Sequence, residues 1–422
     1  MAEMKDSGTA WLGMIPKDWE LSKISSIYEL RTQKVSDKDY PPLSVTMNGI
    51  VPQLDSAAKT NAHDDRKLVK KGDFAINSRS DRRGSCGVSE YDGSVSLINT
   101  VMKPRDEMNP DYYNWLFHTI QFADEFYKWG HGIVDDLWTT NWQDMKHIDI
   151  PVPTLDEQKV IADYLNKAIP EIDALHTDIE KQIETLEEYK KSIITEAVTK
   201  GLINININGT QVDFTNTTDE QWECKKLKLL VAMPIIDGPH ESPELCDTGI
   251  PYISATAIVD GKIDFNLMRG YISEEYCTEC EKRYKPQLND ILVVKLGAGT
   301  GQVAMVDDNR KFNIWVPLAA VRCNELVIPK FIYYGFQSDY VVTQMEQSWT
   351  YGTQETLGIK TIEKLKFFIP TLNTQRKIIQ YLDNKCVNID GAIEEKIEQL
   401  ETLEQYKKSL IYEYVTGKKE VK

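Results

Sequence analysis

The stretch that most resembles catalytic machinery is LGAGTG, residues 296–301. Glycines at this spacing after an apolar strand can cradle a nucleotide or S-adenosylmethionine, provided that a helix follows and turns its N-terminus to the ligand. The residues that follow are QVAMV, which predict a second strand. The chain also has neither a Walker A sequence nor an Asn-Pro-Pro-aromatic tetrapeptide. The spacing therefore favours a tight hairpin turn, and we expect no catalytic residue here.

A second candidate for chemistry is Cys277-x-x-Cys280, which has the spacing of half a zinc site. The other five cysteines supply no second pair, and His240 is isolated in the sequence. The six histidines are scattered and form no nucleophile–base group. We therefore predict no metal site.

Basic residues cluster around a glycine-rich turn, RSDRRGSCG, and two polar-aromatic loops, DDLWTTNWQ and SWTYGTQET, come later in the chain. Arginine binds phosphate and guanine bidentately, and Asn, Gln and Thr can read base edges. For any one of these residues the alternative is an ordinary solvated face. The candidate DNA contacts are Lys71, Arg79, Arg82, Arg83, Trp138, Thr139, Asn141, Lys262, Arg269, Lys295, Tyr351, Thr353 and Gln354.

These residues belong to a chain that repeats itself. PTLDEQKVIADYLN, from Pro153, returns as PTLNTQRKIIQYLD, from Pro370, and ETLEEYKKSIITEAVT returns as ETLEQYKKSLIYEYVT at the same offset of 217 residues. Of the 47 positions from Pro153 to Thr199, 22 are identical to their partners, whereas the segments between the repeats are much less alike. We predict two variable domains, residues 1–153 and 202–370, and two helical segments, residues 154–201 and 371–422.

Both repeated segments are predicted to be helical. Thr154-x-x-Glu157 is a capping box, and Pro170 is expected to break or restart the first helix. Apolar residues then advance by threes and fours, as in a coiled-coil seam, so that roughly 30 residues form a rod of about 45 Å. The predicted seam is Ile172, Leu175, Ile179, Ile183, Leu186, Tyr189, Ile193, Ile389, Leu400, Leu403, Tyr406 and Leu410.

Composition excludes several classes of protein. The 422 residues, 41% hydrophobic and 27% charged, predict a globular chain, and its apolar runs are far shorter than the roughly 20 residues that span a membrane. The N-terminus has no apolar signal region and the seven cysteines are odd in number, so we expect a cytoplasmic protein. A net charge of −16 argues against a protein that coats nucleic acid indiscriminately.

Two divergent domains that alternate with two near-identical helical segments resemble the specificity subunit of type I restriction-modification systems. The resemblance covers nearly the whole chain and rests on WLGMIPKDWELSKI, on IPVPTLDEQKVIADYLN with FFIPTLNTQRKIIQYLDNK, and on the paired ETLEEYKK and ETLEQYKK. It implies an α+β fold. Two mixed α/β target recognition domains would be separated by two long antiparallel helices, which form a coiled coil with an internal pseudo-two-fold repeat.

Two short motifs of that family also have counterparts here. Gly84 to Gly87 resembles its GTGG-like turn, and Gly352-Thr353-Gln354 resembles its G-T-Q loop. The first domain departs from the second motif, since it has Gly132-Ile-Val instead.

The resemblance implies that each domain reads one half of a split, asymmetric site in double-stranded DNA. The helices would dock two methyltransferase subunits and, through them, restriction subunits. The chain itself would be non-catalytic and hold no cofactor, with S-adenosylmethionine in the methyltransferase and ATP and magnesium in the restriction subunit; no membrane partner is expected. Two alternatives remain: a stand-alone S-adenosylmethionine-dependent DNA methyltransferase with its pocket at residues 297–301, and a coiled-coil adaptor without DNA affinity.

Overall fold

The structure, a computed structural model, consists of two compact units. It describes residues 3–54, 63–105, 108–132, 138–202, 205–207, 210–212, 222–297, 299–348, 350–351 and 355–421. The first unit combines Met1–Glu180 with Ile397–Lys422, and the second is the continuous segment Lys181–Lys396. The beginning and the end of the chain therefore belong to the same unit, and each unit takes part of both repeated segments.

Ten helices are found in the described part of the chain. Two of them are much longer than the others, with 46 residues in α5 and 44 in α10. The helices are α1 (Ile24–Ile27), α2 (Pro110–Phe117), α3 (Ile120–Lys128), α4 (Trp142–Met145), α5 (Leu155–Lys200), α6 (Glu274–Glu281), α7 (Pro329–Gln337), α8 (Asp339–Glu346), α9 (Ile359–Ile362) and α10 (Leu372–Val415).

Thirteen short strands precede α5 in the described residues of the first unit. They are β1 (Met4–Asp6), β2 (Met14–Pro16), β3 (Glu20–Lys23), β4 (Tyr28–Leu30), β5 (Lys34–Val35), β6 (Leu43–Thr46), β7 (Gly49–Pro52), β8 (Arg66–Val69), β9 (Phe74–Asn77), β10 (Cys86–Val88), β11 (Gly93–Val95), β12 (Asn99–Pro104) and β13 (Asp149–Val152). The largest sheet is antiparallel with the order β10-β9-β12-β4. Smaller sheets are β11-β8-β5, β13-β3, β6-β7 and β1-β2.

The strands after α5 are as short as those before it. They are β14 (Ile205–Ile207), β15 (Thr210–Val212), β16 (Glu223–Lys226), β17 (Ile236–Asp237), β18 (Ile250–Ile253), β19 (Ile258–Val259), β20 (Lys262–Ile263), β21 (Gly270–Ile272), β22 (Ile291–Val294), β23 (Val303–Met305), β24 (Asn313–Ile314), β25 (Leu318–Val321), β26 (Thr350–Tyr351), β27 (Glu355–Thr356) and β28 (Lys366–Ile369). The main sheet is again antiparallel and four-stranded, with the order β17-β25-β22-β23. The two domains therefore share a sheet order although their sequences have diverged.

The repeated segments supply core residues to both units. In the first, Leu410, Tyr414 and Val415 of α10 are buried in the same cluster as Leu165 and Ile169 of α5. In the second, residues 194, 197 and 198 of α5 share a buried cluster with residues 378 and 382 of α10. The rings of Tyr164 and Tyr414 pack in a tilted arrangement with their centres 4.5 Å apart in the first unit. Early residues of one helix thus meet late residues of the other, and the predicted fold of two mixed domains with long antiparallel helices is confirmed.

The expected break at Pro170 is wrong, because α5 runs through it without interruption. Pro170 itself is exposed, while Ile169 and Ile172 on either side are buried in the core of the first unit. Tertiary packing of the apolar face therefore outweighs the roughly 3 kcal/mol that proline costs inside a helix. The uninterrupted helix is about 69 Å long at 1.5 Å per residue, longer than the expected rod.

The described helices include none that is long and apolar enough to cross a lipid bilayer.

Candidate nucleic-acid interface and helical pair

The glycine turn of the first unit lies between the antiparallel strands β9 and β10. A short 3-10 helix, Ser80–Arg82, leads into it, and Gly84 has φ of +77°, a conformation that glycine adopts without steric cost. Arg82 leaves 69% of its side chain exposed, 3.8 Å from Asp81. Arg83 pairs with Asp124. The turn therefore presents two arginine side chains at the surface.

The structure brings this turn together with one of the predicted polar-aromatic loops. Arg79 and Thr139 form an antiparallel backbone bridge, and the Ser80 N–H donates to the carbonyl of Trp138 at 3.1 Å. The Trp138 indole donates to the carbonyl of Tyr127 at 2.8 Å, and the Tyr127 hydroxyl donates to the carbonyl of Arg79 at 2.8 Å. Arg79, Arg82, Arg83, Trp138 and Thr139 thus belong to one surface.

Tyr127 joins the two loops, although no motif in the sequence marks it as a functional residue. It lies near the C-terminus of α3, next to Phe126, and burial raises its pKa well above the ordinary value. The guanidinium of Arg83 lies 6.0 Å from the centre of its ring. The sequence signal for Tyr127 is its place on the apolar face of α3, and that pattern by itself indicates a core residue.

Two further candidates of the first unit have their polar groups occupied within the fold. The side-chain oxygen of Asn141 accepts from the Gln143 N–H at 2.7 Å and caps α4. Lys71 is exposed and pairs with Glu90 at 3.3 Å. Since exposed ion pairs are weak, Lys71 could exchange this partner for a phosphate, whereas the capping oxygen of Asn141 is committed to the helix.

Lys295, predicted as a DNA contact of the second unit, is instead buried. Its Nζ donates to Asp237 Oδ2 at 2.6 Å, and only 9% of its side chain is exposed. A buried lysine needs such a partner, because an unpaired charge in the interior is costly. The prediction that Lys295 offers its charge directly to DNA is therefore wrong.

The other candidates of the second unit are scattered. Lys262 is exposed on β20, and the guanidinium of Arg269 stacks on Trp315 at 3.4 Å from its ring centre. Tyr351 ends β26. Thr353 and Gln354 lie outside the described residues, so their predicted roles stay predictions.

The glycine-rich segment at residues 296–301 joins two antiparallel strands. Val293 of β22 faces Val303 of β23, and the predicted hairpin is confirmed. Gly297 and Gly301 have φ of +96° and +93°. No helix follows the turn, so the arrangement that would bind a dinucleotide or S-adenosylmethionine at a helix N-terminus is not formed here.

The two closely spaced cysteines lie on α6. Cys277 and Cys280 are both buried, and burial raises the pKa of each thiol, which favours the neutral form over the thiolate that binds metal. Within the described residues, no group of three or more His, Cys, Asp or Glu side chains could hold a metal ion.

Along each long helix, one series of buried or half-buried positions advances in alternating steps of three and four residues. On α5 this series is formed by residues 172, 176, 179, 183, 186, 190 and 193, and its repeat on α10 is formed by residues 389, 393, 396, 400, 403, 407 and 410. Leu175, Tyr189 and Tyr406 lie outside this series and are 56%, 49% and 50% exposed. Their prediction as seam residues is wrong, since the heptad places residues 176, 190 and 407 there instead.

The two lysines of this series form the same ion pair in each unit. Lys407 of α10 contacts Asp173 of α5 at 2.5 Å in the first unit, and Lys190 of α5 contacts Asp390 of α10 at 2.6 Å in the second. Lys190 and Lys407 are repeat equivalents, as are Asp173 and Asp390. In the first unit α5 supplies the aspartate and α10 the lysine, and in the second unit α5 supplies the lysine and α10 the aspartate.

A buried glutamine near the start of each long helix is also repeated. Gln158 Oε1 accepts from the Asn109 N–H at 2.8 Å, and Gln375 Oε1 accepts from the Ile328 N–H at 2.8 Å. Asn109 and Ile328 are the residues that precede α2 and α7. The same side chain thus connects each long helix to the equivalent place in each unit.

A family model described as the type I restriction modification DNA specificity domain matches residues 16–185 and 220–402. The chain belongs to this family. The two matches fall on the two recognition domains, and each reaches into one of the repeated helices, so the family's domain occurs twice here.

Two relatives in the family are similar over nearly their whole length, and a third is similar over about half of its length. The putative type I restriction enzyme MjaX specificity subunit of Methanocaldococcus jannaschii is 25% identical over 439 residues, which cover 97% of this chain and 96% of the relative. The MjaVIII specificity subunit of the same organism is 23% identical over 425 residues, covering 97% and 94%. The EcoBI specificity subunit of Escherichia coli is 25% identical over 256 residues, covering 59% and 53%.

Solved structures share the fold. A chain from a study of complex assembly and conformational transition of the type I R-M system has a TM-score of 0.72 at 13% identity, covering 96% of this chain and 99% of its own. The HsdS subunit from Thermoanaerobacter tengcongensis has a TM-score of 0.50 at 15% identity, covering 96% and 98%. Both solved chains therefore share this fold over nearly their whole length.

Proposed function

We propose that this specificity subunit reads a bipartite, asymmetric site in double-stranded DNA, with one half-site for each recognition domain. The observation that carries the proposal is the combination of identical helical contacts with divergent domains. The ion pairs Asp173–Lys407 and Lys190–Asp390 repeat, whereas the arginine turn of the first unit has no counterpart in the described part of the second. A scaffold of this kind holds two different readers in equivalent positions.

The same repetition supports docking of two identical partners. Because each unit contains one early and one late part of the repeated segments, each offers an equivalent helical surface. We propose that these surfaces dock two methyltransferase subunits and, through them, the restriction subunits. The chain then contributes recognition and no catalysis. S-adenosylmethionine belongs to the methyltransferase, and ATP and magnesium belong to the restriction subunit.

The charge of the chain supports a division of labour in DNA binding. With a net charge of −16, the chain has no broad basic field, so partner subunits supply many of the contacts to DNA phosphates. Local groups such as Arg82 and Arg83 then supply specific contacts, since arginine can bind guanine O6 and N7 bidentately.

The test is to sequence methylated adenines in DNA from cells that express this chain with its cognate methyltransferase, and from cells that lack only this chain. We expect methylation of one split, asymmetric motif that disappears without the chain. Unchanged methylation would contradict the proposal and favour an adaptor role. Saturable binding of S-adenosylmethionine by the isolated chain would instead favour a methyltransferase.

A pair of variants sharpens this test for the first half-site. Arg82→Gln removes an exposed arginine of the turn, and we expect altered or weakened methylation at one half of the motif. Lys17→Gln is the matched control, because Lys17 is 63% exposed in the same unit but lies on a different segment. Equal methylation by both variants and the parent would show that Arg82 does not contribute to recognition of the first half-site.

A further inference from the structure

An unusual charge cluster surrounds Asp237 at the end of β17. Asp237 is 6% exposed at its side chain, and Lys295 Nζ donates to its Oδ2 at 2.6 Å. A guanidinium N–H of Arg283 donates to its Oδ1, and His240 Nε2 lies 3.4 Å from Oδ2. One carboxylate therefore faces a lysine, an arginine and a histidine.

Other buried aspartates of this chain show a different arrangement. Asp73 and Arg31 form a two-point pair at 2.5 and 2.8 Å, and Asp290 and Arg322 form one at 2.7 Å through both oxygens. Each of these pairs matches one negative charge with one arginine. Asp237, by contrast, leaves at least one positive charge unbalanced among the groups that contact it, and such surplus attracts an anion.

Exposure shows where the surplus charge is available. Lys295 is 9% exposed, so it neutralises Asp237 from the interior, while Arg283 is 46% exposed and His240 71%. Burial alone would raise the pKa of Asp237, but the hydrogen bond and charge of Lys295, together with Arg283, lower it, so the carboxylate stays ionised. A guanidinium has five N–H donors, so Arg283 can bind a second acceptor while Asp237 orients it.

A second arginine is connected to this cluster through Trp315. Gly238 packs so closely on the backbone of Ile314 and Trp315 that a Cβ at this position would lie 2.2 Å from the Ile314 carbonyl oxygen. Arg269 stacks on the Trp315 ring at 3.4 Å. Lys295 is two residues ahead of Gly297, the first glycine of the hairpin turn. The cluster is therefore connected to Arg269 through Gly238 and Trp315, and to the turn through Lys295.

We propose that Arg283 binds a phosphate of the DNA backbone in the second half-site, with Asp237 and Lys295 as positioning residues. The inference rests on the proposed function and assigns a contact that the sequence had placed on Lys295. Phosphate contacts fix the register of a protein on the duplex without reading its sequence. Arg283 therefore sets how the second domain sits on DNA, whatever the bases.

The test measures DNA affinity of the assembled methyltransferase complex as a function of salt, with this chain as the parent or as Arg283→Gln. The logarithm of the binding constant falls linearly with the logarithm of the salt concentration, and each lost phosphate contact decreases the steepness of this fall by about 0.9. We expect that decrease and roughly tenfold weaker binding, equally on cognate and unrelated duplexes. Lys282→Gln is the matched control, because Lys282 is 68% exposed next in sequence and pairs with Glu279.

The outcomes separate this inference from the proposed function. An unchanged salt slope for Arg283→Gln, in a complex that still methylates its motif, would overturn the inference alone. A loss confined to cognate DNA would overturn it in favour of a base contact. Binding of inorganic phosphate to the complex that is lost in the variant, without any change in DNA affinity, would assign the cluster to a free anion. A parent complex without motif-specific methylation would instead contradict the proposed function.

Asp237→Asn checks the positioning role. This variant keeps the charge of Arg283 but removes the carboxylate that orients it, so we expect weaker DNA binding and a salt dependence no steeper than that of the parent. A positioning role is contradicted if Asp237→Asn binds DNA as tightly as the parent or more tightly. Thermal unfolding of the variant complexes identifies any effect that comes from a disturbed fold.

Discussion

At the scale of single residues, buried side-chain amides do structural work that a charge or motif search does not detect. Gln158 Nε2 donates to the Pro153 carbonyl at 2.8 Å, and Gln375 Nε2 donates to the Pro370 carbonyl at 3.0 Å. Together with the bonds to Asn109 and Ile328, each glutamine satisfies a donor and an acceptor of the backbone. Both positions lie inside the repeat, but their burial is visible only in the structure.

Gln158→Leu is expected to lower the free energy of unfolding of the first unit by roughly 1–3 kcal/mol, because it leaves a half-buried N–H and a buried carbonyl without partners. Gln375→Leu should do the same to the second unit. Urea unfolding measures both effects. Gln380→Leu is the control, since Gln380 is exposed on α10 and should change stability by no more than about 0.5 kcal/mol. Equal stability of all three variants would show that the amide bonds contribute nothing net.

The lowered pKa of Lys418 predicts that the stability of the folded chain depends on pH. Burial lowers its pKa from 10.5 to about 8, while Glu413 opposes this, and its Nζ donates to the Leu12 carbonyl at 2.6 Å. Between pH 8 and 10.5 the folded chain has lost this proton and the unfolded chain still binds it, so stability rises with pH. The parent should therefore gain stability relative to Lys418→Met from pH 8 to 10, with no change in their difference below pH 8.

Urea unfolding at several pH values measures that difference, with Lys17→Met as the matched exposed control. A constant difference between parent and Lys418→Met from pH 7 to 10 would contradict the assigned shift.

At the scale of elements, the sequence predicts what is local and misses what depends on partners. The capping box is confirmed, with the Thr154 N–H donating to Glu157 at 2.9 Å and the Glu157 N–H donating to Thr154 at 3.3 Å. The bridge between Arg79 and Thr139 joins residues 60 apart, and no local pattern encodes it. Lys295 was misassigned because sequence shows its charge and not its buried partner, Asp237.

The register of the long helices is a similar case. Apolar type alone selected Leu175 and Tyr189, although the heptad period continues through His176 and Lys190. A lysine can take part in such a series because its stem packs along apolar neighbours while Nζ reaches a carboxylate. Strict periodicity was therefore a better guide here than residue hydrophobicity.

A pair of substitutions tests this register. Leu403 is half-buried and packs against the core of the first unit, so Leu403→Ala is expected to cost about 1–2 kcal/mol of unfolding free energy. Tyr406→Ala, at a position that is 50% exposed, should cost no more than about 0.5 kcal/mol. Urea unfolding compares the two variants. A larger loss of unfolding free energy for Tyr406→Ala than for Leu403→Ala would support Tyr406 as a seam residue.

At the scale of the whole molecule, the two units differ in how the chain builds them. All buried core residues of the largest cluster in the second unit lie between Ile194 and Cys386, inside one continuous segment. The core of the first unit includes Leu410, Tyr414 and Val415, which are at most 5% exposed. Tyr412 also donates to the Trp11 carbonyl at 2.8 Å.

Fragments should therefore behave differently. Residues 181–396 are expected to unfold cooperatively by themselves, whereas residues 1–180 should lack a cooperative transition until a peptide of residues 397–422 is added. Circular dichroism and hydrogen exchange measure both. A flexibly linked chain of residues 1–180 and 397–422 is the positive control. Cooperative unfolding of residues 1–180 alone would show that the last segment is dispensable.

This connectivity has a consequence for synthesis on the ribosome. After Glu180 has been translated, about 240 further residues must follow before the first unit has all of its parts. At roughly 5–20 residues per second this takes about 12–50 s, and the second unit is completed during that interval. The domain that is translated first is thus finished last, and its apolar surface must be shielded from other nascent chains until the final helix leaves the exit tunnel.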